Sequence, residues 1–207
     1  MELLVIRHGQ SQADLEDRHE GRADFPLTDL GLEQARLAAK WILANYPPEL
    51  IIASPLMRAW QTASIIGEAS GVALLKEPAL LERDNGLLAG LPREEASKLY
   101  PKPKGGPKPH HKLAESEAQI EFRARAEMFW SAFQEDYLEK DLHKRIALVS
   151  HGGMINMLFH CFLGLPLESH IIFGSGDTGI HLWRITAKER IVVFTNNLDH
   201  LIPAKLA

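Results

Sequence analysis

The stretch Leu3-Leu4-Val5-Ile6-Arg7-His8-Gly9 stands almost at the start of the chain: four apolar residues, then a cation, an imidazole and a glycine. A short unbroken apolar run ended by polar residues reads as a parallel strand buried on both faces. Whatever follows the run then sits at the strand's C-terminal end. The pattern returns twice. Leu50 to Ala53 runs into Ser54-Pro55, with Arg58 just beyond, and Arg145 to Ser150 runs into His151-Gly152-Gly153. Open parallel sheets gather their ligands beyond the strand C-termini, so three such breaks point to one shared site.

Working outward, Leu32, Ala35, Leu37, Ala38, Ala39, Ile42 and Leu43 recur at helical spacing and predict a helix from Leu30 to Tyr46, stopped by Pro47-Pro48. Ser54-Pro55 predicts the start of a second helix, because serine caps free amides and proline suits the first helical position. That helix runs to about Ser70, Gly71 ends it, and Val72 to Leu75 predicts a third strand. Within Pro78 to about Glu139 a short helix is expected from Pro92 to Leu99. A loop follows whose first seven residues, 101 to 107, include five prolines and glycines. Ser116 to Gln119 has the capping-box pattern and predicts a long helix with Phe122, Ala126, Phe129, Trp130 and Phe133 facing inward. After a helix from about Met154 to Leu163, closing strands are expected at Ile171 to Phe173, Gly179 to Ile185 and Arg190 to Thr195. The order predicts one α/β domain over residues 1–207, a three-layer α/β/α sandwich with a mainly parallel central sheet. A mostly helical insertion at about 78–139 is expected over the strand C-terminal edge.

Composition narrows the function classes. With 207 residues, 45% of them hydrophobic, the chain can bury one substantial core, and a net charge of -4 offers no general attraction to nucleic acid or to membrane surfaces. The cluster of Lys102, Lys104, Lys108 and Lys112 with His110 and His111 reads as a solvated loop. Cys161 is the only cysteine, which excludes an internal disulfide and a cysteine-based metal site. Neither a leader pattern nor an apolar run of spanning length is visible, so the expectation is a soluble cytoplasmic protein. Gly174 to Gly179 formally matches a dinucleotide fingerprint, but that fingerprint must open a helix and Ile180 to Ile185 alternates like a strand. A turn there can instead present Asp177 and Thr178 to the pocket.

Arg7, Arg58 at a helix start and His151-Gly152 after a later strand together make an anion pocket, because guanidinium forks match phosphate oxygens and helix N-termini supply free amides. A neutral histidine is a competent nucleophile near pH 7, and two neighbouring arginines disfavour its protonated form. Fixed cations around a phosphoryl group then stabilise the charge that shifts onto its oxygens. His151 can assist as imidazolium or as a neutral donor.

At this point the chain resembles the histidine phosphatase superfamily, the phosphoglycerate-mutase-like proteins, over nearly its whole length. Arg7-His8-Gly9 matches the family's Arg-His-Gly motif, Gln10-Ser11 falls on the pair that follows it, and Gly21 to Ala35 matches Gly-x-x-Asp-x-Pro-Leu-Thr-x-x-Gly-x-x-Gln-Ala. The family's second arginine falls on Arg58, its acid/base glutamate on Glu82 four residues before Gly86, and its second histidine on His151. The resemblance implies a metal-independent, cofactor-free phosphatase acting on a small phosphorylated metabolite. His8 would attack phosphorus, Glu82 would protonate the leaving oxygen and then activate water, and Arg7, Ser11, Arg58, His151 and Gly152 would bind substrate. A cofactor-dependent mutase is the alternative, and a non-catalytic phospholigand-binding module the reading from another class. Two positions depart from the family: Ala13-Asp14 replaces a Trp-Asn pair, putting an acid where a neutral phosphate contact is usual, and Ala89 replaces an acid.

Overall fold

The computed structural model of the protein describes residues 1–140 and 142–202; Asp141 and residues 203–207 lie outside that description. Strands β1 (Glu2–Arg7), β2 (Leu50–Ala53), β3 (Leu74–Lys76), β4 (Arg145–Ser150), β5 (Ile180–Ile185) and β6 (Arg190–Asn197) form one sheet in the order β3-β2-β4-β1-β5-β6. β3, β2, β4 and β1 run parallel, whereas β5 is antiparallel to both β1 and β6. Helices α1 (Gln12–Leu15), α2 (Asp29–Asn45), α3 (Met57–Ser70), α4 (Arg93–Leu99), α5 (Gln119–Phe133) and α6 (Gly152–Leu163) complete the fold.

Strand alternation builds the three layers. Leu3, Val5, Leu50, Ile52, Ile146, Leu148 and Trp183 point to one face, where Phe122, Trp130 and Phe133 of α5 and Phe159 and Phe162 of α6 cover them. Leu4, Ile6, Ile51, Ala53, Ala147, Val149 and Leu182 point to the other, against α2 and α3. The two faces are packed differently: aromatic rings fill the first, while Ala38, Ala39, Ala59 and Ala63 let α2 and α3 come close on the second. Register then sets the site. Arg7 lies opposite Ser150 and Ala53 opposite Val149, so the residues that leave β1, β2 and β4, namely His8, Ser54 and His151, emerge side by side.

The first turn of α2 locks the loop after β1. A Cβ on Gly9 would lie 2.6 Å from the Gly31 carbonyl oxygen, and one on Gly31 would collide with the carbonyl oxygen of Gln10. Both obstacles are backbone, which cannot rotate away. Gly31→Ala is therefore expected to destabilise the fold by about 1–3 kcal/mol, as overpacking does. The check is urea unfolding, where the midpoint falls and the slope stays constant.

Several local expectations are corrected. Ser54-Pro55 does not open a helix: α3 begins at Met57, whose amide donates to Asp24 Oδ1 at 2.6 Å, and the Ser54 hydroxyl faces His151 instead. The capping-box pattern at Ser116 lies outside α5, where the Glu121 carboxylate accepts from the Ala118 amide. Ile171 to Phe173 is not a strand, since the edge position beside β5 is taken by β6 and Phe173 stacks on Phe159 at 4.2 Å. The third strand begins at Leu74, two residues later than expected. Leu37 falls off the Ala35, Ala38, Ala39, Ile42 stripe and is exposed. The short helix α1 had no periodic signal; a reciprocal Ser11–Asp14 cap holds it. Among the described residues no helix is long and apolar enough to cross a membrane. The lysines at 102, 104, 108 and 112 are exposed, and Lys112 pairs with Glu121 at 2.7 Å.

Candidate active site

His8 follows the last residue of β1 and is nearly inaccessible, at 1% exposure. Its Nδ1 lies 2.7 Å from the Gly9 carbonyl oxygen. A carbonyl can only accept, so Nδ1 carries the proton and the lone pair is left on Nε2. Arg58 agrees with that tautomer, because its Nε donates toward the same Nε2 at 3.2 Å. Burial, then Arg58, then Arg7 hold the His8 pKa well below the ordinary histidine value.

Arg58 is fully buried in the first turn of α3, and each of its three side-chain nitrogens is engaged. Its two terminal nitrogens donate to the Ala23 carbonyl at 3.0 Å and the Gly21 carbonyl at 2.8 Å, and its Nε also lies 3.3 Å from Glu20 Oε1. Thr62, one turn along, accepts from the Gly9 amide at 3.1 Å and donates to the Arg58 carbonyl at 2.9 Å, tying the nucleophile loop to α3. Gln34 accepts from the Gln10 amide at 2.8 Å and so fixes the same loop from α2.

Arg7 reaches the pocket from the other side. It donates to the Ser175 carbonyl at 2.7 Å and lies 3.4 Å from Asp177 and 3.6 Å from Asp14. The Gly174–Gly179 segment is thus a turn ahead of β5 that sets Asp177 against Arg7, while Thr178 bonds His200 at 2.8 Å. His151, the N-cap of α6, lies 5.2 Å from His8 between ring centres. Its Nε2 is 2.7 Å from the Ser54 hydroxyl, and its Nδ1 is buried without a partner. Burial first, then Arg58, His8 and Arg7, keep its pKa well below the usual value.

Glu82 sits at the α6 start, where Oε2 accepts from the Gly153 amide and Oε1 from the Arg83 amide, each at 2.8 Å. A Cβ on Gly153 would come within 2.5 Å of Oε1, so glycine there admits the carboxylate. Ser11 is buried: its hydroxyl accepts from the Asp14 amide at 3.1 Å and donates to Glu20. Gly152 opens α6 beside Arg7. The structure therefore brings Arg7, His8, Ser11, Arg58, Glu82, His151 and Gly152 to one edge of the sheet. A cavity of about 370 Å³, walled by Glu20, Gly21, Glu82, Asn85 and Gly153, adjoins this group at Glu82.

Sequence reasoning passed over Glu20, Thr62 and Ser54. Glu20 and Thr62 had a weak signal, the first standing immediately before the matched block that opens at Gly21 and the second one helical turn after Arg58. Among the described residues, His8, Asp14 and Glu20 form one group whose ligand atoms approach within 4.8 Å. Arg7 and Arg58 already face those carboxylates with positive charge. Cys161 is remote from this chemistry, its thiol pushed up to about 12 by burial.

The family model for the Histidine phosphatase superfamily (branch 1) matches residues 3–198. The chain is 25% identical over 206 residues to Phosphoserine phosphatase 1 of Hydrogenobacter thermophilus, covering 97% of this chain and 94% of that one. It is 30% identical over 172 residues to the Probable phosphoglycerate mutase GpmB of Yersinia pestis, covering 82% and 78%. Its fold superposes on a mycobacterial glucosyl-3-phosphoglycerate phosphatase complexed with VO3, with a TM-score of 0.82, 24% identity and coverage of 94% and 98%.

Proposed function

Because this chain belongs to the histidine phosphatase superfamily, we propose that it is a phosphatase that hydrolyses a small phosphomonoester through a phosphohistidine on Nε2 of His8. The observation that carries the reading is the orientation of His8: its proton is held at Nδ1 by Gly9 and its lone pair is turned toward Arg58. In the first step that lone pair forms the N–P bond, the ester P–O bond breaks, and Glu82 gives a proton to the leaving oxygen. In the second, Glu82 takes a proton from water, the water oxygen bonds phosphorus, and the N–P electrons return to Nε2.

Arg58 and Arg7 supply positive charge to the phosphoryl oxygens. His151 Nε2 pairs with the Ser54 hydroxyl at 2.7 Å, and its buried Nδ1 has no protein partner, so when Ser54 donates to Nε2 the hydrogen on Nδ1 is free to meet a phosphoryl oxygen. Every charge that the path needs comes from a side chain, so a chelator is expected to leave turnover intact.

Glu82→Gln is expected to lower kcat/KM, which reports the first step alone, by about 10²–10⁴ on alkyl phosphates, the range for a positioned acid/base. The loss is smaller on p-nitrophenyl phosphate, whose leaving group departs without a proton. Equal losses on both would remove Glu82 from the acid role. The experiment for the whole reading is phosphate release from a panel of phosphomonoesters, with and without chelator. Including 3-phosphoglycerate separates release from isomerisation, the mutase outcome that the relative in Yersinia pestis makes worth testing.

A further inference from the structure

Glu20 occupies the place that a phosphoryl group needs. A reacting phosphorus must come to about 3–3.5 Å from the nucleophilic nitrogen, which sets its oxygens against Arg58. Glu20 is already there, with Oε2 3.7 Å from His8 Nε2 and Oε1 3.3 Å from Arg58 Nε, and Ser11 donating to it. Glu20 also walls the cavity, whereas His8 is 1% exposed and Arg58 fully buried. A ligand arriving from the cavity meets this carboxyl before the imidazole.

The charge around the pocket is not that of a plain anion site. Arg7 and Arg58 face Asp14, Asp177 and Glu20, Glu82 lies near enough to act on Arg58, and burial depresses the pKa of both histidines. Asp14 and Asp177 flank Arg7, and Glu82 is fixed by two amides; of the four, Glu20 alone stands within an ion-pair distance of Nε2. Bringing a dianion beside an ionised Glu20 sets like charges together in a desolvated place.

We infer that Glu20 is a built-in competitor for the phosphate site, and that an oxyanion binds beside His8 as Glu20 takes up a proton from solvent. This rests on the pocket being the phosphate site. Ionised, Glu20 holds Arg58; protonated, it releases the guanidinium and gains a hydrogen it can donate to the incoming oxyanion. Its surroundings favour the uptake, since burial raises its pKa, opposed by Arg58 and Ser11, raised again by Asp14 and lowered by Arg7. Burial moves the two groups in opposite directions, raising Glu20 and depressing His8, and so favours proton uptake on the competitor over the nucleophile's lone pair.

The test uses sulfate, which remains a dianion throughout the pH range and requires no turnover. Dissociation constants are measured for the full-length protein and for Glu20→Gln from acid to mildly alkaline pH, with melting curves to confirm folding. The wild type is expected to weaken by up to about tenfold per pH unit once Glu20 must be protonated to admit the ligand. Glu20→Gln, an uncharged shape mimic, is expected to show a nearly flat profile and to bind sulfate at least about tenfold more tightly at pH 8. Parallel pH profiles for the two proteins, or weaker binding by the folded variant at every pH, overturn the competitor. Absence of sulfate binding in both overturns the anion pocket itself. The phosphatase reading is decided separately by ester turnover.

Discussion

His8→Ala is expected to reduce phosphate release by about 10⁴-fold or more while lowering stability by only about 1 kcal/mol. The activity loss follows from removing the atom that forms the covalent bond, for which no neighbour substitutes. His151 lies 5.2 Å away between ring centres, with one nitrogen committed to Ser54. The small stability effect follows from what the imidazole does in the fold. It is buried with a single bond to the backbone of the next residue. Arg58, once it loses Nε2 as an acceptor, keeps Gly21, Ala23 and Glu20. Labelled phosphate trapped on the wild type and absent from the variant identifies the nucleophile. A collapsed melting temperature would instead make His8 a structural residue.

Arg58→Ala is expected to fail in the opposite manner, losing activity and stability together. The guanidinium is fully buried, and its removal strands the carbonyl oxygens of Gly21 and Ala23 and the carboxyl of Glu20. Breaking one side of such a buried ionic group costs about 3–5 kcal/mol. Loss of a charge that stabilises the transferring group adds about 10²–10³ in rate. Arg58→Lys retains the charge without the fork that reaches two carbonyls at once, so it should recover part of the stability and little of the rate. Thermal unfolding and kcat/KM on the same preparations separate the two losses. An Arg58→Ala protein as stable as wild type would mean that the loop holding Gly21 and Ala23 is secured by other contacts.

The contrast between these variants separates what was legible in the sequence from what was not. β1, β2 and β4 could be read because strands buried on both faces must be continuous apolar runs, and Leu3–Ile6, Leu50–Ala53 and Ile146–Val149 are such runs. The ends of those runs placed His8 and His151 at one sheet edge, and the ordered blocks added Arg58 and Glu82. Ser54-Pro55 misled because a capping residue is recognised by local chemistry, while its hydroxyl is claimed by His151, 97 positions away. Ile171 to Phe173 misled for a similar reason: apolar character fits both a strand and a segment stacked on Phe159, and only the place of β6 in the sheet decides.

By itself the sequence determined the layered α/β fold and the identity and order of the chemical groups, because burial period, helix spacing and motif order are local properties of a chain. Tertiary structure alone decided what meets the His8 lone pair, by bringing Arg58 Nε to Nε2 from 50 positions away, and the charge balance of the pocket, through Asp14, Glu20 and Asp177 closing around two arginines. The physical reason is that hydrogen bonding and electrostatics depend on distance in space and on exclusion of water. Residues that are remote or unremarkable along the chain acquire both only when the sheet edge brings them within a few ångströms.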